Sequence, residues 1–116
     1  MVVSVTIWHN PRCSKSRATL ALLQEAGIDP KVRLYLSDPP DEVEVRQALK
    51  VLGIAAIGLV RRGEAAFRDA GLSKDSGEDA LIRAMAAHPV LIERPVVFAL
   101  GRAAIGRPPE AVLTLF

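Results

Sequence analysis

The chain holds one cysteine, and the residues around it carry donors and charge more than apolar bulk. In the stretch Trp8-His9-Asn10-Pro11-Arg12-Cys13-Ser14-Lys15-Ser16-Arg17, a run of strand character meets a run of helix character, with Cys13 at the join. A thiol at the start of a helix faces unpaired backbone N–H groups and the positive end of the helix dipole, both of which favour an anion. The thiolate is the reactive form of cysteine, so this position suits a nucleophile. Arg17 lies four residues further on, which on a helix starting near Cys13 brings a guanidinium to the same face as the sulfur. The N–H groups of Ser14, Lys15 and Ser16, with the two serine hydroxyls, add donors for an anion cradle. His9, four residues before Cys13, either tunes the thiol or closes the strand with a hydrogen bond. The polar flanks at Asn10, Arg12, Ser14, Lys15 and Arg17 argue against a cysteine packed only as a small core hydrophobe.

A single cysteine excludes an intrachain disulfide and an all-cysteine metal site. With only two separated histidines beside it, no metal-ligand spacing is present, and no metal is expected. The position where a CxxC motif carries its resolving thiol is Ser16. Redox chemistry at Cys13 must therefore borrow a second thiol from another molecule.

The elements that have to position this thiol are legible in the hydrophobic pattern. Residues 2–8 are β-branched and nearly free of charge, and read as a buried strand that Asn10-Pro11 ends. Residues 14–26 read as a helix packed on a sheet through Ala18, Leu20, Ala21, Leu22 and Leu23, with Gly27 as its C-terminal stop. Residues 31–36 read as a second strand, and a strand–helix–strand unit of this length implies two parallel strands joined by a right-handed crossover. A helix over 41–52 has Val45, Ala48, Leu49 and Leu52 on its inner face, with Gly53 at its end. Short helices are expected around 58–60 and 64–70, with Arg61-Arg62-Gly63 between them. Ser76 is placed to cap a helix over 77–87, and His88-Pro89 stops it. Two apolar pieces, 90–92 and 96–100, flank Glu93-Arg94-Pro95, where a proline requires an edge, a bulge or a cis bond. Gly101-Arg102 turns the chain into 103–105, and Pro108 starts a last short helix reaching about Leu115.

The 116 residues make one domain by length, and their balance of 50% hydrophobic to 24% charged is that of a globular protein. No apolar run approaches a membrane span and the start lacks a signal peptide, so a cytoplasmic location is expected. Of the fifteen basic residues, eleven are arginine, whose planar fork suits oxyanions; a preference for arginine codons would give the same count. Aromatics are only 4% and no basic run is interleaved with them, so nucleic acid is not an expected partner.

His9-x₃-Cys13-x₃-Arg17, written out as HNPRCSKSR, resembles the active-site loop of the glutaredoxin-linked arsenate reductases, the ArsC family. Four further segments resemble that family in the same order: 36–40 (LSDPP), 59–62 (LVRR), 88–97 (HPVLIERPVV) and 106–112 (GRPPEAV). The resemblance covers nearly the whole chain. It implies an α/β thioredoxin-like fold, a mixed sheet of parallel strands plus an antiparallel hairpin, with an inserted helical segment. It implies that Cys13 attacks arsenate, and that Arg61, Arg94 and Arg107 hold the oxyanion. It also implies a cis bond at Arg94–Pro95 beside the site. Gly63 and Ala65 depart from the charged, polar residues common in the family, and Arg62 is a rival that only the alignment of Leu59-Val60-Arg61 sets aside.

The implied chemistry needs no bound cofactor. Forked arginine donors hold a tetrahedral oxyanion and offset its repulsion of a thiolate. Attack by Cys13 gives a covalent sulfur–arsenic adduct, glutathione as co-substrate reduces it, and glutaredoxin resolves the mixed disulfide. Two other readings share the fold: a monothiol thiol transferase of glutaredoxin type, against which the three arginines count, and a non-catalytic redox-sensing regulator, against which Ser16 counts.

Overall fold

The computed structural model describes residues 4–116, so Val2 and Val3, at the start of the expected first strand, lie outside the described residues. The chain divides into two compact units, residues 4–38 with Arg94–Phe116, and Pro39–Glu93.

The first unit is built on a four-stranded mixed sheet of order β2-β1-β3-β4. β1 (Val5–Trp8) leads through the helix α1 (Ser14–Glu25) into β2 (Lys31–Arg33), and β1 and β2 pair in parallel with Ile7 opposite Val32. β3 (Val96–Ala99) runs antiparallel to β1 and β4 (Arg102–Ile105) antiparallel to β3. The hairpin turns on Leu100 and Gly101, at φ 56° and 71°, rather than on Gly101-Arg102, because a two-residue turn between twisted strands needs two consecutive left-handed residues. Alternation along the strands sends Val5, Ile7, Val97 and Ala99 to one face, where they pack with Leu23 of α1 and with Val112 and Leu115 of a 3₁₀ segment, Pro109–Leu115. On the other face Trp8 and Phe98 meet at 4.9 Å between ring centres, and the Arg33 guanidinium lies 5.8 Å over the Trp8 ring.

Of the residues the hydrophobic pattern selects on α1, Leu23 is fully buried and Leu20 packs partly against the core; the rest of the buried stripe is Ser16 and Thr19. Ala18 and Ala21 are exposed, and Leu20 and Leu22 are only partly buried. Two hydroxyls can face inward because each has a partner: Thr19 Oγ1 donates to the Lys15 carbonyl at 2.8 Å, and Ser16 Oγ serves the thiol loop. At the other end Gly27, at φ 80°, lets the Ile28 N–H return to the Leu23 carbonyl and close the helix. β2 stops at Arg33, three residues short of the expected end, because the Ser37 and Asp38 N–H groups both turn back to the Leu34 carbonyl.

The second unit is helical. α2 (Glu42–Leu52) starts from a reciprocal Asp41–Glu44 capping box, buries Val45, Ala48 and Leu49, and ends on Gly53 at φ 71°. A 3₁₀ turn (Ala56–Gly58) and a short helix α3 (Ala65–Asp69) precede α4 (Glu78–Ala87), which buries Leu81, Ile82 and Met85. Gly77, not Ser76, is the N-cap of α4; the Ser76 hydroxyl instead accepts the Ser73 N–H at 2.9 Å. The apolar piece 90–92 is not a strand. Pro89 opens a 3₁₀ turn (Pro89–Leu91), the Ile92 N–H returns to the Pro89 carbonyl, and only Ile92 pairs, in one antiparallel bridge with Val60.

Candidate active site

Cys13 occupies the N-cap of α1, with extended backbone and a side chain that makes no capping bond. Its sulfur is therefore not spent on closing the helix, and the first-turn N–H groups of Ser14, Lys15 and Ser16 keep the donor character of a helix start. The loop leading to it is tied at every step. Asn10 closes a turn by accepting the Cys13 N–H on its carbonyl and the Arg12 N–H on Oδ1, both at 3.0 Å. The Asn10 N–H in turn donates to Ser16 Oγ at 3.0 Å, and the same hydroxyl lies 2.7 Å from His9 Nδ1. The His9 N–H ties the loop to the sheet through the Arg33 carbonyl.

Ser16 is thus the hub of the thiol loop, and it is fully buried. Burial lowers the His9 pKa below the ordinary imidazole value, and the Arg17 charge adds to that. A neutral ring suits the hub. A hydroxyl that accepts from the Asn10 N–H and donates to an unprotonated Nδ1 satisfies all three groups. Arg17 sends Nη1 to the Pro11 carbonyl at 2.9 Å, so it braces the loop. The guanidinium in hydrogen-bond contact with the sulfur is that of Arg107, whose Nη2 lies 3.8 Å from Cys13 Sγ.

Arg107 reaches the thiol from the far end of the chain, and its approach is held by the backbone. Its Nε donates to the Arg94 carbonyl at 3.0 Å, which fixes the fork while Nη2 points to the sulfur. Arg94–Pro95 is a cis bond, and so is Arg107–Pro108. Gly106 sits between these two segments: its N–H donates to the Pro95 carbonyl at 2.9 Å, and a Cβ there would lie 2.5 Å from Thr19 Oγ1 and 2.7 Å from Pro95 Cγ. Only glycine fits. Gly106 and Thr19 are contributors that the sequence reading did not single out. The glycine before Arg107-Pro108 was the one available signal, and nothing in the sequence marks Thr19.

Cys13, Arg94, Pro95 and Arg107 all belong to the first unit, whereas Arg61 belongs to the second. There Arg61 is half-buried and engaged by two carboxylates, its Nη1 donating to Glu64 and its Nε lying 3.5 Å from Glu93 Oε1. Arg62, its rival in the sequence, is exposed. Among the described residues no group of three or more His, Cys, Asp or Glu could hold a metal ion, and no helix is long and apolar enough to cross a membrane.

The family model described as "ArsC family" matches residues 8–115, from the end of β1 to the C-terminal 3₁₀ segment. The chain belongs to the ArsC family. The uncharacterized protein YfgD of Escherichia coli is 50% identical over 117 residues, covering 99% of this chain and 98% of that protein. An arsenate reductase of Neisseria meningitidis is 48% identical over 110 residues, covering 93% of this chain and 94% of its own length. Among solved structures, an arsenate reductase from Vibrio cholerae superposes with a TM-score of 0.96 at 44% identity, each chain covered completely. The fold is therefore the thioredoxin-like α/β fold of the ArsC proteins, a mixed four-stranded sheet with several helices.

Proposed function

We propose that this chain is an arsenate reductase in which Cys13 is the nucleophile and Arg61, Arg94 and Arg107 are ligands of the oxyanion. The observation that carries the reading is the contact of Arg107 Nη2 with Cys13 Sγ at 3.8 Å, on a thiol at a helix N-cap, in an ArsC-family chain. A guanidinium already directed at the sulfur can bind an arsenate oxygen with one N–H while the anion stands within reach of attack. Backbone N–H groups at the start of α1 oppose the charge that gathers on the oxygens as the S–As bond forms.

In the proposed sequence the Cys13 thiolate displaces one arsenate oxygen, which leaves as water after protonation, and forms an S–As(V) bond. A glutathione thiolate then attacks the Cys13 sulfur. The S–S bond forms as the S–As bond breaks, and the S–As electron pair stays on arsenic, which leaves as arsenite, As(III). A glutaredoxin thiolate attacks the glutathione sulfur and returns Cys13 to its thiolate form. The two electrons come from two thiols, and Ser16 cannot supply the second.

The test is arsenite formation by the purified chain with glutathione, glutaredoxin and a source of reducing equivalents. Parallel assays use thioredoxin in place of the glutathione pair. Turnover in the first mixture and its loss in Cys13→Ser support the reading. Turnover with thioredoxin alone would replace the proposed reductant, and arsenite formation by Cys13→Ser would remove the nucleophile.

A further inference from the structure

Within the second unit, three side chains form a half-buried charge cluster in which one guanidinium meets two carboxylates. The guanidinium of Arg61 meets Glu64 on Nη1 and Glu93 on Nε, and the three side chains are 23%, 29% and 25% exposed. Arg61 and Glu93 are each held by a backbone anchor. The Arg61 N–H donates to the Leu91 carbonyl at 2.6 Å and the Glu93 N–H to the Leu59 carbonyl at 2.8 Å, on either side of the Val60–Ile92 bridge. Glu64 is the N-cap residue of α3 but makes no capping bond; its carboxylate turns to Arg61 instead.

We infer that Glu64 and Glu93 set the oxyanion affinity of Arg61, holding the guanidinium in a fixed plane while opposing the charge of an incoming anion. The inference rests on the proposed role of Arg61 as an oxyanion ligand. A guanidinium has five N–H donors, and two carboxylates occupy the Nε side and one Nη1 position, leaving the Nη2 edge for a third acceptor. An oxyanion arriving at that edge meets the Arg61 charge with two carboxylates beside it in a partly desolvated cluster. Repulsion grows with the charge of the ligand, so a dianion is penalised more than a monoanion. The cluster therefore trades affinity for geometry and lets product and competing oxyanions leave.

The experiment is titration calorimetry of arsenate, and separately of inorganic phosphate, into Cys13→Ser protein, which binds without turnover. Glu64→Gln and Glu93→Gln keep the shape and hydrogen-bonding reach of each side chain. Removing one carboxylate is expected to tighten binding roughly two- to fivefold, the range for a charge pair in partial contact with water. The gain should be larger at a pH where the ligand is a dianion than where it is a monoanion, and should vanish in an Arg61→Gln background. Weaker or unchanged binding in both variants overturns the inference, as does the same gain without Arg61 or no measurable binding in any variant. Failure of the wild-type chain to reduce arsenate would sink the proposed reaction separately, because the phosphate titration decides this inference without turnover.

Discussion

Replacing Gly106 by alanine tests the packing that aims Arg107 at the thiol. The added Cβ would stand 2.5 Å from Thr19 Oγ1, 2.7 Å from Pro95 Cγ and 3.1 Å from Pro95 Cδ. Neither neighbour yields easily. Thr19 is fully buried, with its hydroxyl committed to the Lys15 carbonyl, and the Pro95 ring is rigid and buried. Restoring an ordinary contact near 3.4 Å from 2.5 Å requires a displacement of about 0.9 Å, and the backbone at 106 is the part left to move. Overpacking of this kind costs about 1–3 kcal/mol. In a domain of this size that lowers Tm by roughly 5–15 °C. The displacement carries Arg107 with it, and Arg107 holds both the Arg94 carbonyl at 3.0 Å and Cys13 Sγ at 3.8 Å. Misplacing a positioning group by about 1 Å is enough to cost up to ~100-fold in rate. The assay pairs a thermal melt with steady-state arsenate reduction below the melting range. A Tm within about 2 °C of wild type, with kcat/KM unchanged, would refute both the packing argument and the role given to Arg107.

Three other expectations follow from the thiol loop. Ser16→Ala removes the partner of both the Asn10 N–H and His9 Nδ1, at a cost of about 1–3 kcal/mol by urea denaturation, and a smaller loss than 0.5 kcal/mol would mean the hub is not a hub. Because burial lowers the His9 pKa in the folded chain, the unfolded chain binds the proton first as pH falls. The stability this represents is complete above the unfolded imidazole value of ~6.5 and is lost as pH drops through the lower folded value. A urea midpoint that falls no more steeply on acidification for wild type than for His9→Asn would contradict that sign. Arg107→Lys keeps the charge but loses the fork that spans the Arg94 carbonyl and the sulfur, so kcat/KM for arsenate should fall about tenfold or more. Equal losses in arsenate reduction and in glutathione disulfide exchange would move the chain toward a thiol transferase.

The order of strands and helices was legible because the hydrophobic period changes cleanly from two to 3.6 and back, and glycine or proline marks most of the changes. What the pattern misjudged were places where hydrogen bonding outweighs hydropathy. The stripe of α1 is one: Ser16 and Thr19 displace alanine and leucine from the buried face because both hydroxyls find partners inside. The piece 90–92 is another, where Pro89 sets the dihedral of a 3₁₀ turn that β-branched residues alone would not choose. The thiol loop is legible as a candidate site because its residues are consecutive. Which arginine meets the sulfur was not, since Arg17 is near in sequence and Arg107 comes from ninety-four residues away. The Arg61–Glu93 pair is hidden for the same reason, since a charge pair across a single bridge leaves no periodic trace, whereas Glu64 lies only three residues from Arg61.

The buried serine bears on the choice of reductant. A second thiol at position 16 would have to occupy the space of a hydroxyl that accepts from Asn10 and meets His9 at 2.7 Å. Sulfur is larger and a far weaker acceptor, so it would loosen the turn on which Cys13 stands. The loop thus holds Cys13, the proposed nucleophile, in place with the position that a CxxC protein gives to resolution. One consequence is chemical: with no thiol at 16 and no other cysteine in the chain, any disulfide formed at Cys13 is intermolecular. The other is mechanical: in the proposed cycle the loop need not open to bring a second sulfur across, and its hydrogen bonds can persist. In the proposed reaction, a rigid Cys13 and the need for an external thiol are consequences of the same side chain, Ser16.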